Sequence, residues 1–125
     1  YNVERNGKLL RTVLTDAKKQ GSKAYVYGAS TKGNTMLQLW KLEGLFEGAA
    51  EIHPDKIGRY TVGTKIPIVS EEEAKENADI FFVPNFGFRD MFVEKEKEFL
   101  EKGGRMIFAM PEVDVVTGDK KWKSQ

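Results

Sequence analysis

The sequence of 125 residues contains no cysteine and a single histidine, His53. Without cysteine the chain forms no disulfide and offers no thiolate as a nucleophile or metal ligand, and one histidine alone argues against a zinc site. The lack of cysteine also fits a reducing compartment. No apolar run approaches the roughly 18 residues that cross a membrane. We therefore expect a cytoplasmic protein with no metal site and no membrane contact.

An excess of charge of one sign is lacking too, since 20 Lys and Arg against 19 Asp and Glu give a net charge of +1. Both signs are mixed along the chain, so nothing indicates a nucleic-acid surface. The length suits one domain with a core of its own, 1–125, and is too short for two. Because Tyr1 stands where an initiator methionine would stand, we expect this domain to have been cut or processed from a longer protein.

Apolar residues follow a helical spacing in some stretches and form short continuous runs in others. This pattern predicts helices over 3–20, 33–42, 71–77 and 88–102, and strands near 23–27, 49–52, 65–69, 79–83 and 105–110. Ser70 and Glu73 have the spacing of a capping box at the start of the helix over 71–77. From Pro111 onward the pattern predicts an irregular tail. Because strands alternate with helices, the sequence predicts an α/β fold, a Rossmann-like three-layer sandwich with a mostly parallel sheet of four or five strands.

The most informative stretch follows the first predicted strand and begins at Gly28. A second glycine, Gly33, opens the next predicted helix, and Lys32 and Asn34 stand on either side of it. Gly28 permits a turn that a Cβ would oppose. A helix N-terminus presents unpaired N–H groups and the positive end of the helix dipole, so it favours anions. The stretch is therefore typical of an anion-binding turn.

Two familiar phosphate-binding motifs do not fit this stretch. A Walker A loop has lysine directly after its second glycine, where this chain has Asn34. A dinucleotide fingerprint has a middle glycine, where this chain has Ser30. A βα turn that serves only the fold remains an open alternative, because such turns are common in α/β proteins.

Ligands of open parallel sheets bind beyond the carboxyl ends of the strands, at the point where the strand order reverses. Several predicted loops would meet at that edge. They are 28–34, the loop at His53, 56–60 and 84–88.

Four segments of the chain are informative when they are taken in order. They are Tyr27–Thr35 (YGASTKGNT), His53–Tyr60 (HPDKIGRY), Gly63–Ile68 (GTKIPI) and Pro111–Glu112. Together they resemble the C-terminal domain of SAM-dependent C-methyltransferases, whose better-known members methylate nucleotide-linked keto-deoxysugars. The resemblance covers about 9–116. His53 stands where the family usually has asparagine, Ile52 stands where it usually has an acidic residue, and 84–88 matches only loosely. These departures favour a different nucleotide-linked substrate.

The resemblance implies a Rossmann-like domain that binds no S-adenosylmethionine itself. In the family this domain follows a zinc-binding domain and a central domain, and the central domain holds S-adenosylmethionine and the catalytic base. The C-terminal domain helps to hold the sugar nucleotide across the interface between the domains. The chain would thus be a substrate-binding part of an enzyme, inactive alone, with a nucleotide-linked sugar and the SAM-binding domain of the same chain as its partners.

No catalytic residue is expected in this chain. The substrate-binding candidates are Gly28, Ala29, Ser30, Lys32, Gly33, Asn34, His53, Lys56, Arg59, Tyr60 and Phe86. Arg59 suits bidentate recognition of phosphate or a surface ion pair. Tyr60 would stack on a base or fill the interior of its own loop, and packing is the favoured role. His53 is available as an acid or base, although a polar turn residue before proline is the more ordinary role.

Two other functions are compatible with the same sequence. The chain could be a structural domain that docks on the rest of the same enzyme through an apolar surface. It could also be a small self-standing nucleotide-binding module, such as half of an oxidoreductase, although the dinucleotide fingerprint is missing.

Overall fold

The computed structural model describes residues 3–28, 37–51, 55, 57–61, 65–84, 87, 89–109 and 113–118. Within these residues, six strands form one sheet. They are β1 (Ala24–Tyr27), β2 (Gly48–Glu51), β3 (Ile68–Ser70), β4 (Ile80–Phe82), β5 (Arg105–Phe108) and β6 (Asp114–Thr117). The order across the sheet is β3-β2-β1-β4-β5-β6, and every neighbouring pair is parallel except β5 with β6. The predicted α/β sandwich with a mostly parallel sheet is confirmed, and the predicted number of strands is corrected from four or five to six.

Helices lie on both faces of this sheet. They are α1 (Val3–Lys19), α2 (Glu71–Asn77), α3 (Arg89–Lys95), α4 (Lys97–Glu101) and the 3₁₀ helix Glu43–Leu45, while residues 37–39 are also helical. The predicted capping box starts α2, because the Ser70 hydroxyl accepts a hydrogen bond from the N–H of Glu73 at 3.0 Å. The helix predicted over 88–102 is instead two helices, which meet at Glu96.

The core consists of two apolar layers, one on each side of the sheet, because alternate residues of a strand face opposite sides. On one side Val26, Ile80 and Ile107 pack beneath α1 through its Leu10 and Leu14. The other layer includes Tyr25, Phe81, Met106, Phe108, Val93 and Leu100. Since α1 lies on the first side and α2, α3 and α4 lie on the second, the three layers of the predicted sandwich are present.

The sixth strand contradicts the irregular tail predicted from Pro111 onward. Residues Asp114–Thr117 pair antiparallel with β5, from Phe108 opposite Asp114 to Arg105 opposite Thr117. Val116 is fully buried on the α3 and α4 side, and Val115 packs against the α1 side. Four residues show too little alternation to be distinguished from a loop by pattern alone. Their partner strand determines their conformation.

Candidate functional site

The strand order reverses between β1 and β4, which is where a ligand is expected in this class of sheet. β1 pairs with β4 up to Val26. Beyond that point Tyr27 pairs with Ala50 of β2, and the N–H of Val83 donates to the carbonyl of Ile107 at 2.9 Å. The two central strands therefore part at their carboxyl ends, and each continues beside its outer neighbour.

Gly28 lies at this parting, directly after β1. Its φ is +92°, in the left-handed region that side chains other than glycine rarely adopt. The residue is exposed, and a Cβ built on it would have no atom within 4 Å among its described surroundings. The backbone conformation, not lack of space, therefore requires glycine here. This agrees with the predicted turn, whose ligand contacts remain a prediction.

Most other predicted site residues lie outside the described part of the chain. They are Ala29, Ser30, Lys32, Gly33, Asn34, His53, Lys56 and Phe86. The sequence alone supports their place in a site, and they stay predictions.

Arg59 and Tyr60 are described, and they lie along the outer side of β3. The N–H of Ile68 donates to the Arg59 carbonyl at 2.8 Å, the N–H of Gly58 donates to the Ile68 carbonyl at 2.9 Å, and Tyr60 forms an antiparallel bridge with Pro67. This backbone is three strand spacings from β1, or about 14 Å. The described structure does not bring it next to Gly28, so one ligand would contact both only if it were extended.

The predicted packing role of Tyr60 is wrong, because its side chain is 63% exposed. Its hairpin-like segment is held by backbone hydrogen bonds and by Thr61, whose hydroxyl accepts from the N–H of Ile66 at 2.9 Å. The loop therefore does not need the ring as its core. An exposed tyrosine ring is available for stacking, which was the alternative role.

Sequence reasoning missed Arg89, which begins α3 just beyond the carboxyl end of β4. Its Nε donates to Asp114 Oδ2 at 2.9 Å, its Nη2 forms an ion pair with the same carboxylate, and its guanidinium lies 5.5 Å from the ring centre of Phe108. An arginine directly after a buried strand and its turn was the available signal. Its partner could not be foreseen, because Asp114 was placed in an irregular tail.

Asn6 is a second polar residue that the sequence did not single out. Its side-chain amide, which is buried, donates to the carbonyl of Ala109 at 2.8 Å. This bond fixes the first turns of α1 to the carboxyl end of β5. The same edge of the sheet is thus held by polar contacts on both faces.

A third set of polar contacts begins at Tyr27, directly before Gly28, on the side of the sheet that carries α2 and α3. The hydroxyl of Tyr27 donates to Glu96 Oε2 at 2.5 Å, and Lys75 Nζ lies 3.0 Å from Glu96 Oε1. Burial, and then the bond to Glu96, raise the pKa of Tyr27 above its usual value. Burial lowers the pKa of Lys75, but its bonds to Glu96 and Glu71 outweigh that effect and raise it. Tyr27 therefore stays a neutral donor and Lys75 a cation.

Within the described residues, no three histidine, cysteine, aspartate or glutamate side chains cluster as metal ligands would, and no described helix is long and apolar enough to span a membrane. The described groups at the edge are a glycine backbone, an arginine already paired with a carboxylate, and a neutral phenol.

Comparison with known proteins decides the family. A family model described as the C-methyltransferase C-terminal domain matches residues 1–111. The chain belongs to this family. It is also 33% identical, over 116 residues and 89% of its length, to C-methyltransferase NovU from Streptomyces niveus. The resemblance noted in the sequence is confirmed.

This C-methyltransferase C-terminal domain matches only part of the relative's length. It spans 26% of the length of the relative NovU. The match of the family model includes the sequence that follows β1, the sequence around His53 and the segment before β3. The motifs quoted from the sequence therefore all lie within the family region, apart from Glu112.

Proposed function

We propose that this chain is the substrate-binding domain of a SAM-dependent C-methyltransferase and that it holds a nucleotide-linked sugar through its diphosphate. The observation that carries the proposal is the left-handed backbone of Gly28 at the parting of β1 and β4. The sequence continues from there with Ser30, Lys32 and Asn34. Family membership supports the same interpretation.

The chemistry of the proposed contacts follows from the ligand. A diphosphate is an anion with many acceptor oxygens, and it is stabilised by N–H groups at a helix start and by a lysine cation. The exposed Arg59 and Tyr60 suit a second phosphate contact and a stacked base at the outer side of β3. A nucleotide-linked sugar is an extended molecule, which is the shape that contacts to both Gly28 and Arg59 require.

The methyl transfer itself is proposed to take place outside this chain. The relative is a C-methyltransferase of which the chain spans 26%. We place S-adenosylmethionine and the catalytic base in the central domain of the longer protein. In this proposal the domain binds and orients the methyl acceptor, has no activity alone and is located in the cytoplasm.

The proposal is tested by titrating the ¹⁵N-labelled chain with dTDP and with dTDP-linked sugars, and by following the amide signals of Gly28 and its neighbours. We expect saturable shifts at 28–34. Lys32→Ala should weaken binding by roughly tenfold, because it removes a charged partner of phosphate worth about 1.5 kcal/mol. Lys19→Ala at the far end of α1 is the matched control and should bind normally. No shift at 28–34 with millimolar ligand would refute the proposal.

A docking role is the second candidate, and exposed apolar side chains favour it. Leu39 is 65% exposed and Met91 is 56% exposed. In the longer enzyme the two roles differ in kinetics. If Lys32→Ala and Arg59→Ala leave KM for the sugar nucleotide unchanged, while Leu39→Ser and Met91→Ser separate the domains, docking is the function.

A further inference from the structure

Tyr27, the last residue of β1, is held on three sides. Its ring meets Phe81 of β4 edge-on, with centroids 5.3 Å apart, and Phe92 of α3 at 5.2 Å. Its hydroxyl donates to Glu96 at 2.5 Å. Edge-to-face aromatic pairs have a preferred geometry, and a hydrogen bond to a carboxylate adds direction. The position of this ring is therefore closely defined.

Glu96 lies at the junction of α3 and α4 and is only 3% exposed. One carboxylate oxygen accepts from Tyr27, and the other pairs with Lys75 at 3.0 Å. Lys75 also pairs with Glu71 at 3.1 Å. The four side chains join β1, α2 and the junction of α3 and α4. We call these four residues the Glu96 network.

Stability alone is a weak reason for such a network. Removing a carboxylate and an ammonium group from water costs about as much as their attraction returns, and apolar residues of similar volume often stabilise a fold equally well or better. The network instead fixes the orientation of its side chains, because each must occupy one position to complete the hydrogen bonds of the others. The part of the sheet that the network contacts therefore indicates what the network positions.

The network acts where the sheet itself offers least support. β1 is paired on both sides up to Val26. At Tyr27 the described pairing continues with Ala50 of β2, while the chain after β4 stays bonded to β5. Gly28 follows in its left-handed conformation and is exposed. Any tilt of Tyr27 changes the direction in which Gly28 and the turn leave the sheet.

We propose that the Glu96 network positions the turn at Gly28, and that Tyr27 and Glu96 are positioning residues for the anion bound there. The positioning of the turn stands on the contacts above, while the anion rests on the proposed function. Glu96 lies 68 positions from Gly28 in the sequence. Among the described residues it reaches Gly28 through Tyr27, so its effect on binding would be indirect.

The test compares four variants of the 125-residue chain by ¹⁵N relaxation at Gly28 and by dTDP titration. Tyr27→Phe removes one hydroxyl, and Glu96→Gln removes one charge. Glu98→Gln, an exposed change two residues away, is the control for charge. Val116→Ala is the control for lost stability, because it removes buried volume from the same apolar layer on β6, three strands from β1.

We expect Tyr27→Phe and Glu96→Gln to lower the order parameter of Gly28 by about 0.2 and to raise the Kd for dTDP by roughly tenfold. Both controls should leave each quantity unchanged, with every variant measured below its unfolding transition. The inference is overturned if Gly28 has the same order parameter in the wild type and Tyr27→Phe, or if Val116→Ala changes it as much.

The two proposals fail in different ways. If the wild type binds no dTDP while Gly28 still responds to Tyr27→Phe, the proposed function is wrong and the positioning of the turn stands. If the wild type and all four variants bind dTDP equally, the positioning residues are wrong and the proposed function stands.

Discussion

Gly7 and Trp40 form a close contact in the apolar layer on the α1 side of the sheet. Gly7 lies inside α1, where glycine is normally unfavourable by about 1 kcal/mol relative to alanine. A Cβ at this position would lie 2.5 Å from Nε1 and 2.6 Å from Cγ of Trp40. The buried indole thus occupies the space that any larger residue would need. Because the contact is with a rigid ring in a core, it cannot be relieved by a small side-chain movement.

We therefore predict that Gly7→Ala destabilises the chain by about 1–3 kcal/mol, since overpacking outweighs the gain in helix propensity. The measurement is the free energy of unfolding in urea. Gly44→Ala is the control, because a Cβ on Gly44 meets no atom within 4 Å. A Gly7→Ala chain as stable as the wild type would show that the indole is free to move away.

For single residues, the sequence reveals a special position where the backbone conformation requires one residue type. It does not reveal a polar residue that is buried by contacts with distant parts of the chain. Gly28 could be identified because glycine after an apolar run indicates a turn. Glu96 could not, because it belongs to a run of alternating charges, Glu94 to Glu98, that is typical of a solvent-exposed helix face. In the structure Glu96 lies at the break between α3 and α4, where it is buried and bonded to Tyr27 and Lys75.

Among the elements, β6 depends most on its neighbours. Its four residues pair with β5 alone among the described strands, and Arg89 holds its first residue, Asp114. The guanidinium also covers Phe108, the last residue of β5. One side chain from α3 therefore links the last residue of β5 to the first residue of β6, in addition to the pairing of the two strands.

Arg89→Lys should lower stability by about 1 kcal/mol, because lysine keeps the charge but loses the planar fork and the contact over the ring. Chemical denaturation at low and high salt measures this effect. The pair Lys8–Glu4, at 3.9 Å and with both side chains more than 80% exposed, is the comparison. Its disruption by Lys8→Gln should change stability by less than about 0.5 kcal/mol. Equal effects of the two variants would contradict a structural role for Arg89.

The five parallel strands and α1 could be predicted from the sequence, whereas the edge strand β6 and the break between α3 and α4 could not. Five strands, α1 and the start of α2 followed from apolar periodicity and one capping box. β6 and the division of 88–102 into two helices depend on contacts between residues far apart in the chain. Of the loops predicted to meet at one edge, the described structure places Gly28 there, whereas Arg59 and Tyr60 lie along the outer side of β3. The convergence itself stays a prediction.

For the whole molecule, the Glu96 network makes stability depend on pH in the alkaline range. The pKa of Tyr27 and that of Lys75 are both raised in the folded chain, so the folded chain keeps protons that the unfolded chain loses. Their contribution is complete below about pH 10, where both groups are protonated in either state, and it is lost as pH rises further.

We predict that the free energy of unfolding declines above about pH 10, and that Tyr27→Phe reduces the slope by up to about 1.4 kcal/mol per pH unit. Urea unfolding between pH 8 and pH 11 measures both slopes. Burial raises the pKa of Tyr25 as well, so some slope should remain. Tyr60→Phe, an exposed change, is the control. A steeper decline in Tyr27→Phe than in the wild type would reverse the sign that the structure requires.

The lengths of the helices have a consequence for how the molecule opens. α1 has 17 residues, whereas α2, α3 and α4 have seven, seven and five. Helices shorter than about 12 residues are not stable by themselves in water. On the side of the sheet that carries α2, α3 and α4, none of these three helices would therefore stay folded by itself. Its amide hydrogens should exchange with solvent together, in one cooperative event, while α1 is long enough to keep residual helix after that event.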